Sequence, residues 1–188
     1  LKILSGRLKD DQTLRLLAEI INGFSTTGKP GKGLPIGNLT SQLFANVYMN
    51  EFDQFIKHQL KIKYYVRYTD DFVIVSHDAD YLRSLLPKIQ QFLDTNLNLH
   101  LHPTKITIRK YGSGIDFLGY IILPHHIRLR TKTKRRIERK LRERRRQYIN
   151  GTLAKESFNQ AWQSYLGVLS HSNSYRLTQR IKDEILYN

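Results

Sequence analysis

Apolar side chains recur at Leu14, Leu17, Ala18, Ile21 and Phe24, a spacing that predicts a helix over residues 14–24, ended by the breaker-rich stretch 25–33. Beyond Gly37, the positions of Leu43, Phe44, Val47, Tyr48, Phe52, Phe55 and Ile56 predict a longer helix over residues 41–60. The period then changes. Residues 63–68 and 72–77 are β-branched and aromatic runs separated by a few polar residues, which predicts a hairpin with Asp70 and Asp71 at its bend. Helical spacing returns over 81–93, with Pro87 expected to sit in the first turns, kink the helix or split it. A second β pair is predicted at 105–110 and 116–123, joined by 111–114. From Thr131 a narrow stripe of Ile137, Leu141, Tyr148 and Ile149 predicts a helix that Asn150-Gly151 stops, and two further helices follow at 153–166 and 174–186. There is no internal repeat. The order predicts an α+β fold: an antiparallel sheet with packed helices over residues 1–130, then a helical region over 131–188.

Composition adds a partner to this outline. Lysine and arginine number 31 against 16 acidic residues, a formal net charge of +15 that calls for a polyanion. Ten of those cations fall between Thr131 and Asn150, opposed only by Glu138 and Glu143, so most of that helix's circumference is basic and solvated. Nucleic acid is the natural candidate, since neutralised phosphates release condensed counterions. A membrane-surface protein would instead show an amphipathic helix with a broad apolar face. No apolar run approaches the length of a membrane span, and the first residues show no signal-peptide pattern. The absence of cysteine excludes disulfides and thiolate zinc sites, and fits a reducing cytoplasm.

Asp70 and Asp71 are the first chemical candidates. Adjacent carboxylates between apolar strands are costly unless a cation neutralises them, and magnesium takes oxygen ligands from one or two carboxylates together with phosphates and water. The plain alternative is a polar turn, because aspartate is favoured in turns. Their context decides between the two. Tyr68-Thr69-Asp70-Asp71, flanked by Tyr65-Val66-Arg67 and Phe72-Val73-Ile74-Val75, resembles the catalytic hairpin of reverse transcriptases, whose tetrapeptide is tyrosine, any residue, aspartate, aspartate.

Other segments carry the same resemblance in the same order. Residues 33–42, Gly-Leu-Pro-Ile-Gly-Asn-Leu-Thr-Ser-Gln, are similar to the loop-to-helix block that lines the pocket for nucleotide and template base. A glycine-rich loop before an ordinary helix cap is the alternative there. Residues 98–105 are similar to the block in which a lysine approaches the triphosphate, here Lys105. Residues 114–120 resemble the primer-grip hairpin, with Phe117 and Leu118 packing and Gly119 letting backbone approach the primer end. The basic helix falls where the thumb begins, which makes Arg135, Arg136, Arg139 and Arg142 candidates for phosphate contacts. His100 and His102 have a ligand-like spacing but no third ligand nearby.

The resemblance implies a right-hand polymerase palm over residues 1–130 and a helical thumb over 131–188. It implies RNA-directed DNA polymerisation by two-metal nucleotidyl transfer from dNTPs, on an RNA template with a DNA or RNA primer. Asp70 and Asp71 would bind magnesium or manganese, Lys105 would serve the leaving pyrophosphate, and Ile36, Gly37, Ser41, Gln42 and Tyr68 would line the pocket. Most of the family shows glutamine before the pocket glycine and serine-proline at the block's end. Ile36 and Ser41-Gln42 instead resemble the error-prone enzymes of diversity-generating retroelements, which implies a small basic accessory protein as a further partner. Group II intron and retron enzymes, and a non-catalytic RNA-binding maturase relative, are the rivals. The chain opens inside an apparent helix, Leu1-Lys2-Ile3-Leu4, and the family's first motif, an aspartate followed after four residues by an aromatic, is not found; Asp10, Asp11 and Asp53 lie outside its context. The expectation is a fragment without the fingers, inactive by itself.

Overall fold

A computed structural model describes residues 1–23 and 39–184. Helices and small antiparallel sheets combine in an α+β fold that divides into two compact units, Leu1–Ile108 and Arg109–Asn188.

In the first unit α1 (Lys2–Ser5) and α2 (Asp11–Asn22) precede α3 (Leu39–Gln54). α2 starts where Asp10 accepts a hydrogen bond from the Thr13 amide at 2.7 Å, satisfying one of the donors left open at a helix start. A π-helical turn (Phe55–Gln59) extends α3. The chain then forms a hairpin of β1 (Tyr64–Tyr68) and β2 (Asp71–Val75), paired from Tyr64↔Val75 to Tyr68↔Asp71. α4 (Ala79–Phe92) is capped by Asp78, which accepts from the amides of Asp80 and Tyr81 at 2.8 and 3.1 Å, and it too ends in a π-helical turn (Leu93–Leu97).

Pro87 neither splits α4 nor confines itself to the first turns. It lies well inside the helix on the exposed side, so the carbonyl deprived of its partner, that of exposed Arg83, can be met by water.

The core of this unit gathers Met49, Phe52, Phe55 and Ile56 from α3 and its extension, Ile62, Leu85 and Ile89 from α4, and Leu93 and Leu97. Tyr65, Phe72 and Ile74 from the inward face of the hairpin pack against it. Phe52, wholly buried, meets Phe72 edge-on with ring centres 5.0 Å apart and Tyr65 at 6.1 Å, and Phe55 stacks on Phe92 at 4.1 Å. The aromatic platform therefore lies beneath the strands that carry Asp70 and Asp71.

The expected second β pair is not formed as predicted. Residues 105–110 are not a strand; Pro103–Lys105 form a 3-10 turn, and Ile106 and Ile108 stay exposed. An alternating pattern makes a strand only where a neighbouring strand takes up its amides, and residues 105–110 have no such partner among the described residues. The predicted strand 116–123 folds back on itself as β3 (Ile115–Phe117) and β4 (Tyr120–Ile122), and β5 (Ile127–Leu129) completes the sheet. Leu118 (φ 52) and Gly119 (φ 88) form the two-residue loop, the φ pattern of a type I′ turn.

α5 (Thr131–Ile149), α6 (Lys155–Ser170) and α7 (Tyr175–Lys182) follow. α5 has no acidic residue in its first turn and forms against its own electrostatics, since cations at a helix start oppose the dipole. Burial holds it instead: Ile137 and Leu141 pack with Phe158, Trp162 and Ile181. Tyr148 stacks on Phe158, whereas Ile149 is exposed. Two ties hold the sheet to the α6–α7 region. The Tyr120 hydroxyl donates to the Val168 carbonyl at 2.9 Å, and Asn173 exchanges hydrogen bonds with the backbone of Ile127.

Candidate active site

Alternation along β1 sends Tyr65 and Arg67 inward and leaves Tyr64, Val66 and Tyr68 exposed. The turn to β2 spans only Thr69 and Asp70, and Thr69 takes the left-handed region at φ 54. A β-branched residue resists that conformation, at a cost of about 1–3 kcal/mol. Two hydrogen bonds offset it. The Arg67 guanidinium donates to the Thr69 carbonyl at 2.7 Å, and the Thr69 hydroxyl donates to Asp70 Oδ1 at 2.9 Å.

Arg67 is itself held from below. Asp53 on α3 receives Arg67 Nε at 2.8 Å and Nη2 at 2.5 Å, a two-pronged ion pair, and the Tyr65 hydroxyl donates to the same carboxylate at 2.7 Å. Asn46, two helical turns earlier on α3, accepts a longer bond from Nη1 at 3.4 Å. The Arg67 side chain is 9% exposed and that of Asp53 29%. Burial by itself would raise the Asp53 pKa, but hydrogen bonds from Arg67 and Tyr65 and the guanidinium charge outweigh it and hold the carboxyl below its ordinary value. The Tyr65 hydroxyl is pushed up by burial and by its bond to Asp53, and Arg67 is raised chiefly by its bonds to Asp53.

Asp70 and Asp71 stand differently. Both are exposed, and neither forms an ion pair among the described residues. Among the described residues Asp70 accepts only the Thr69 hydroxyl, and the Arg67 guanidinium of the same hairpin is held by Asp53. Tyr68 faces Asp71 across the ladder and is 60% exposed. Two free carboxylates on adjacent residues are hard oxygen donors of the kind that suits magnesium. Among the described residues no cluster of three or more acidic, histidine or cysteine side chains is assembled. The pair therefore offers part of a ligand set, which phosphates, water or a further carboxylate would complete.

The remaining sequence candidates are scattered. Ile36 and Gly37 lie outside the described residues. Ser41, in the first turn of α3, is buried with no hydrogen-bond partner for its hydroxyl among the described residues, while Gln42 beside it is exposed. Lys105 closes the 3-10 turn, exposed, with no hydrogen bond or ion pair to Asp70 or Asp71. Phe117 is half-buried, Leu118 projects from its turn at 43% exposure, and Gly119 meets the start of α5. A side chain at Gly119 would come within 3.0 Å of the Thr133 hydroxyl, and its carbonyl accepts the Arg130 amide at 2.9 Å.

Arg135, Arg136 and Arg139 are exposed and form no ion pair among the described residues, whereas Arg142 binds Glu184 at 3.1 Å. Glu138 is taken by Arg180. His100 bonds Asp94 at 2.5 Å and His102 meets Thr104 at 3.1 Å, so the two rings have separate partners.

Sequence reasoning passed over Asp53, whose context matched no motif. The signal was present in Arg67: an arginine on the inward register of an apolar strand needs a carboxylate beneath it, and Asn46 and Asp53 share one face of the preceding helix.

Comparison with known proteins bears on the same stretch. The profile of one family, described as reverse transcriptase (RNA-dependent DNA polymerase), matches residues 8–122, well over half of the chain and inclusive of the hairpin. The search of curated proteins gave no match.

Proposed function

Because the chain belongs to the reverse transcriptase (RNA-dependent DNA polymerase) family, we propose that Asp70 and Asp71 hold magnesium for nucleotidyl transfer, with a dNTP as donor, the 3′-hydroxyl of a DNA or RNA primer as acceptor and RNA as template. One observation carries this: both carboxylates are exposed and, among the described residues, free of ion pairs, although the Arg67 guanidinium lies on the adjoining strand position. A polar turn selected for folding alone would use that cation to neutralise its own acids. Bound there, magnesium, or manganese in its place, would help to deprotonate the primer hydroxyl and offset charge on the triphosphate.

The other residues take supporting roles in this proposal. Lys105, on an exposed turn, donates a proton to the departing pyrophosphate. Ile36, Gly37, Ser41, Gln42 and Tyr68 line the nucleotide and template pocket; the buried, unpartnered Ser41 hydroxyl is a donor in search of an acceptor. Phe117, Leu118 and Gly119 meet the primer end. Arg135, Arg136 and Arg139, exposed and without ion pairs among the described residues, meet backbone phosphates, with Arg142 available once it leaves Glu184. Residues 1–130 then act as palm and 131–188 as thumb. No described helix is long and apolar enough to cross a membrane.

Within the family we assign the chain to the error-prone, diversity-generating type, on Ile36 and Ser41-Gln42. In that setting a small basic accessory protein joins the complex. Ile36→Gln with Gln42→Pro should lower misincorporation opposite template adenine, and an unchanged error spectrum would remove the subtype.

The decisive assay is template-directed primer extension by the full-length protein. Asp70→Asn and Asp71→Asn should each reduce extension by more than ~100-fold, the upper end for loss of a mere outer partner of a metal site. Near-normal extension by either variant would refute the catalytic role. Retained RNA binding without extension in the unaltered protein would favour a non-catalytic RNA-binding module.

A further inference from the structure

We propose that Arg67 is a positioning residue: anchored on α3 by Asp53, its guanidinium grips the Thr69 carbonyl and thereby sets the angle at which Asp70 and Asp71 present their oxygens. This rests on the metal-binding proposal above, but its core is geometric.

Thr69 holds a left-handed backbone that its own side chain disfavours, and a turn of that kind relaxes unless its surroundings fix it. What fixes it is a chain of contacts running upward from α3. Asp53 holds two of the guanidinium's nitrogens at 2.8 and 2.5 Å, and the third reaches the Thr69 carbonyl at 2.7 Å. The fork of a guanidinium is planar and rigid, so fixing two nitrogens on one carboxylate directs the third. The Thr69 hydroxyl then restrains Asp70 directly, at 2.9 Å. Tyr65 closes the base by donating to Asp53 at 2.7 Å, so the carboxylate cannot swing away from Arg67 without losing a second bond.

The same pairing keeps a cation beneath the acids from neutralising them. With its charge matched by Asp53, Arg67 restrains the tip through a carbonyl and leaves both carboxylates to outside cations.

The test uses the chain itself, with backbone order parameters of Thr69, Asp70 and Asp71 and the affinity for manganese read from paramagnetic broadening. Unaltered, the tip should be as rigid as its strands, about 0.85; in Arg67→Ala it should fall below about 0.6. The core amides of Leu85, Ile89 and Leu97 should keep their order. Manganese affinity should weaken about 10–100-fold, the usual loss when a ligand's support is removed.

Arg67→Lys keeps the charge but not the fork, so it should loosen the tip nearly as much, and full recovery by lysine would overturn the grip. An unchanged tip in Arg67→Ala would overturn it as well, as would a loosened tip that binds manganese as before. If Arg67→Ala disturbs the core amides, Asp53→Asn decides. It preserves an acceptor for Tyr65, and it should loosen the tip alone; a tip that stays rigid in Asp53→Asn would count against the proposal. Absence of manganese broadening in the unaltered chain would defeat the metal proposal, while the order parameters would still judge the role of Arg67.

Discussion

Each compact unit has a two-residue hairpin loop with a non-glycine residue in the left-handed region, Thr69 in the first and Leu118 in the second. The two are held by different means. Leu118 is followed by Gly119, which takes the second positive φ at no steric cost, and its tip is held by a backbone bond, the Gly119 carbonyl accepting the Arg130 amide, while the Arg130 side chain pairs with Asp116 on β3. Thr69 is followed by an aspartate and is fastened by a charged side chain that reaches across from its own strand to α3. In the Leu118 loop the ion pair lies beside the turn, and no charged side chain bonds the tip itself among the described residues. The Thr69 loop commits an arginine, an aspartate and a tyrosine to hold a loop whose acids remain unpaired, an investment that a loop needed only for chain reversal would not require.

Removing the platform beneath the acidic loop should have the largest effect. Phe52→Ala deletes a wholly buried ring that touches Tyr65 and Phe72, and should cost about 3–5 kcal/mol in urea unfolding. A loss below about 1 kcal/mol would mean that the hairpin does not depend on the core under it.

Relieving the backbone sharpens the contrast. Leu118→Asn should stabilise the protein by about 1 kcal/mol, since asparagine tolerates the left-handed region and exposed Leu118 loses little burial. Thr69→Asn should gain less, because it forfeits the hydroxyl bond to Asp70. Equal gains would show the two loops to be equivalent.

The smallest effect is on acid stability. Asp53 titrates below its ordinary value when folded, so in the interval between that depressed value and the ordinary one, about 3.9, the unfolded chain binds more protons. The stability it contributes is complete above the ordinary value and lost as pH falls through the depressed one. Asp53→Asn should therefore lose part of the acid dependence of unfolding, whereas an unchanged slope would mean that the ion pair carries no linkage.

Much of this was legible in the sequence, for identifiable reasons. Helical stripes such as Leu43 to Ile56 and the alternation through Tyr65 to Val75 have one period each, and α3 and the β1–β2 hairpin follow them closely. The second sheet was harder to read. Residues 105–110 alternate as a strand would, but pairing is a property of neighbours, and the neighbour of β4 proved to be β5 at Ile127–Leu129. Leu118-Gly119 looked like the middle of a strand because leucine rarely turns a hairpin. At the site, the motif exposed Asp70 and Asp71 but not Asp53, since an ion pair between a helix and a strand leaves no local pattern.

Iron-directed hydroxyl-radical cleavage reads the metal site most directly. Ferrous iron, with ascorbate and peroxide, should cut the backbone within residues 68–72, magnesium should compete the cut away, and Asp70→Asn with Asp71→Asn should abolish it. Cleavage centred elsewhere in the chain, or undiminished in the double variant, would mean that the two exposed acids do not gather a divalent cation.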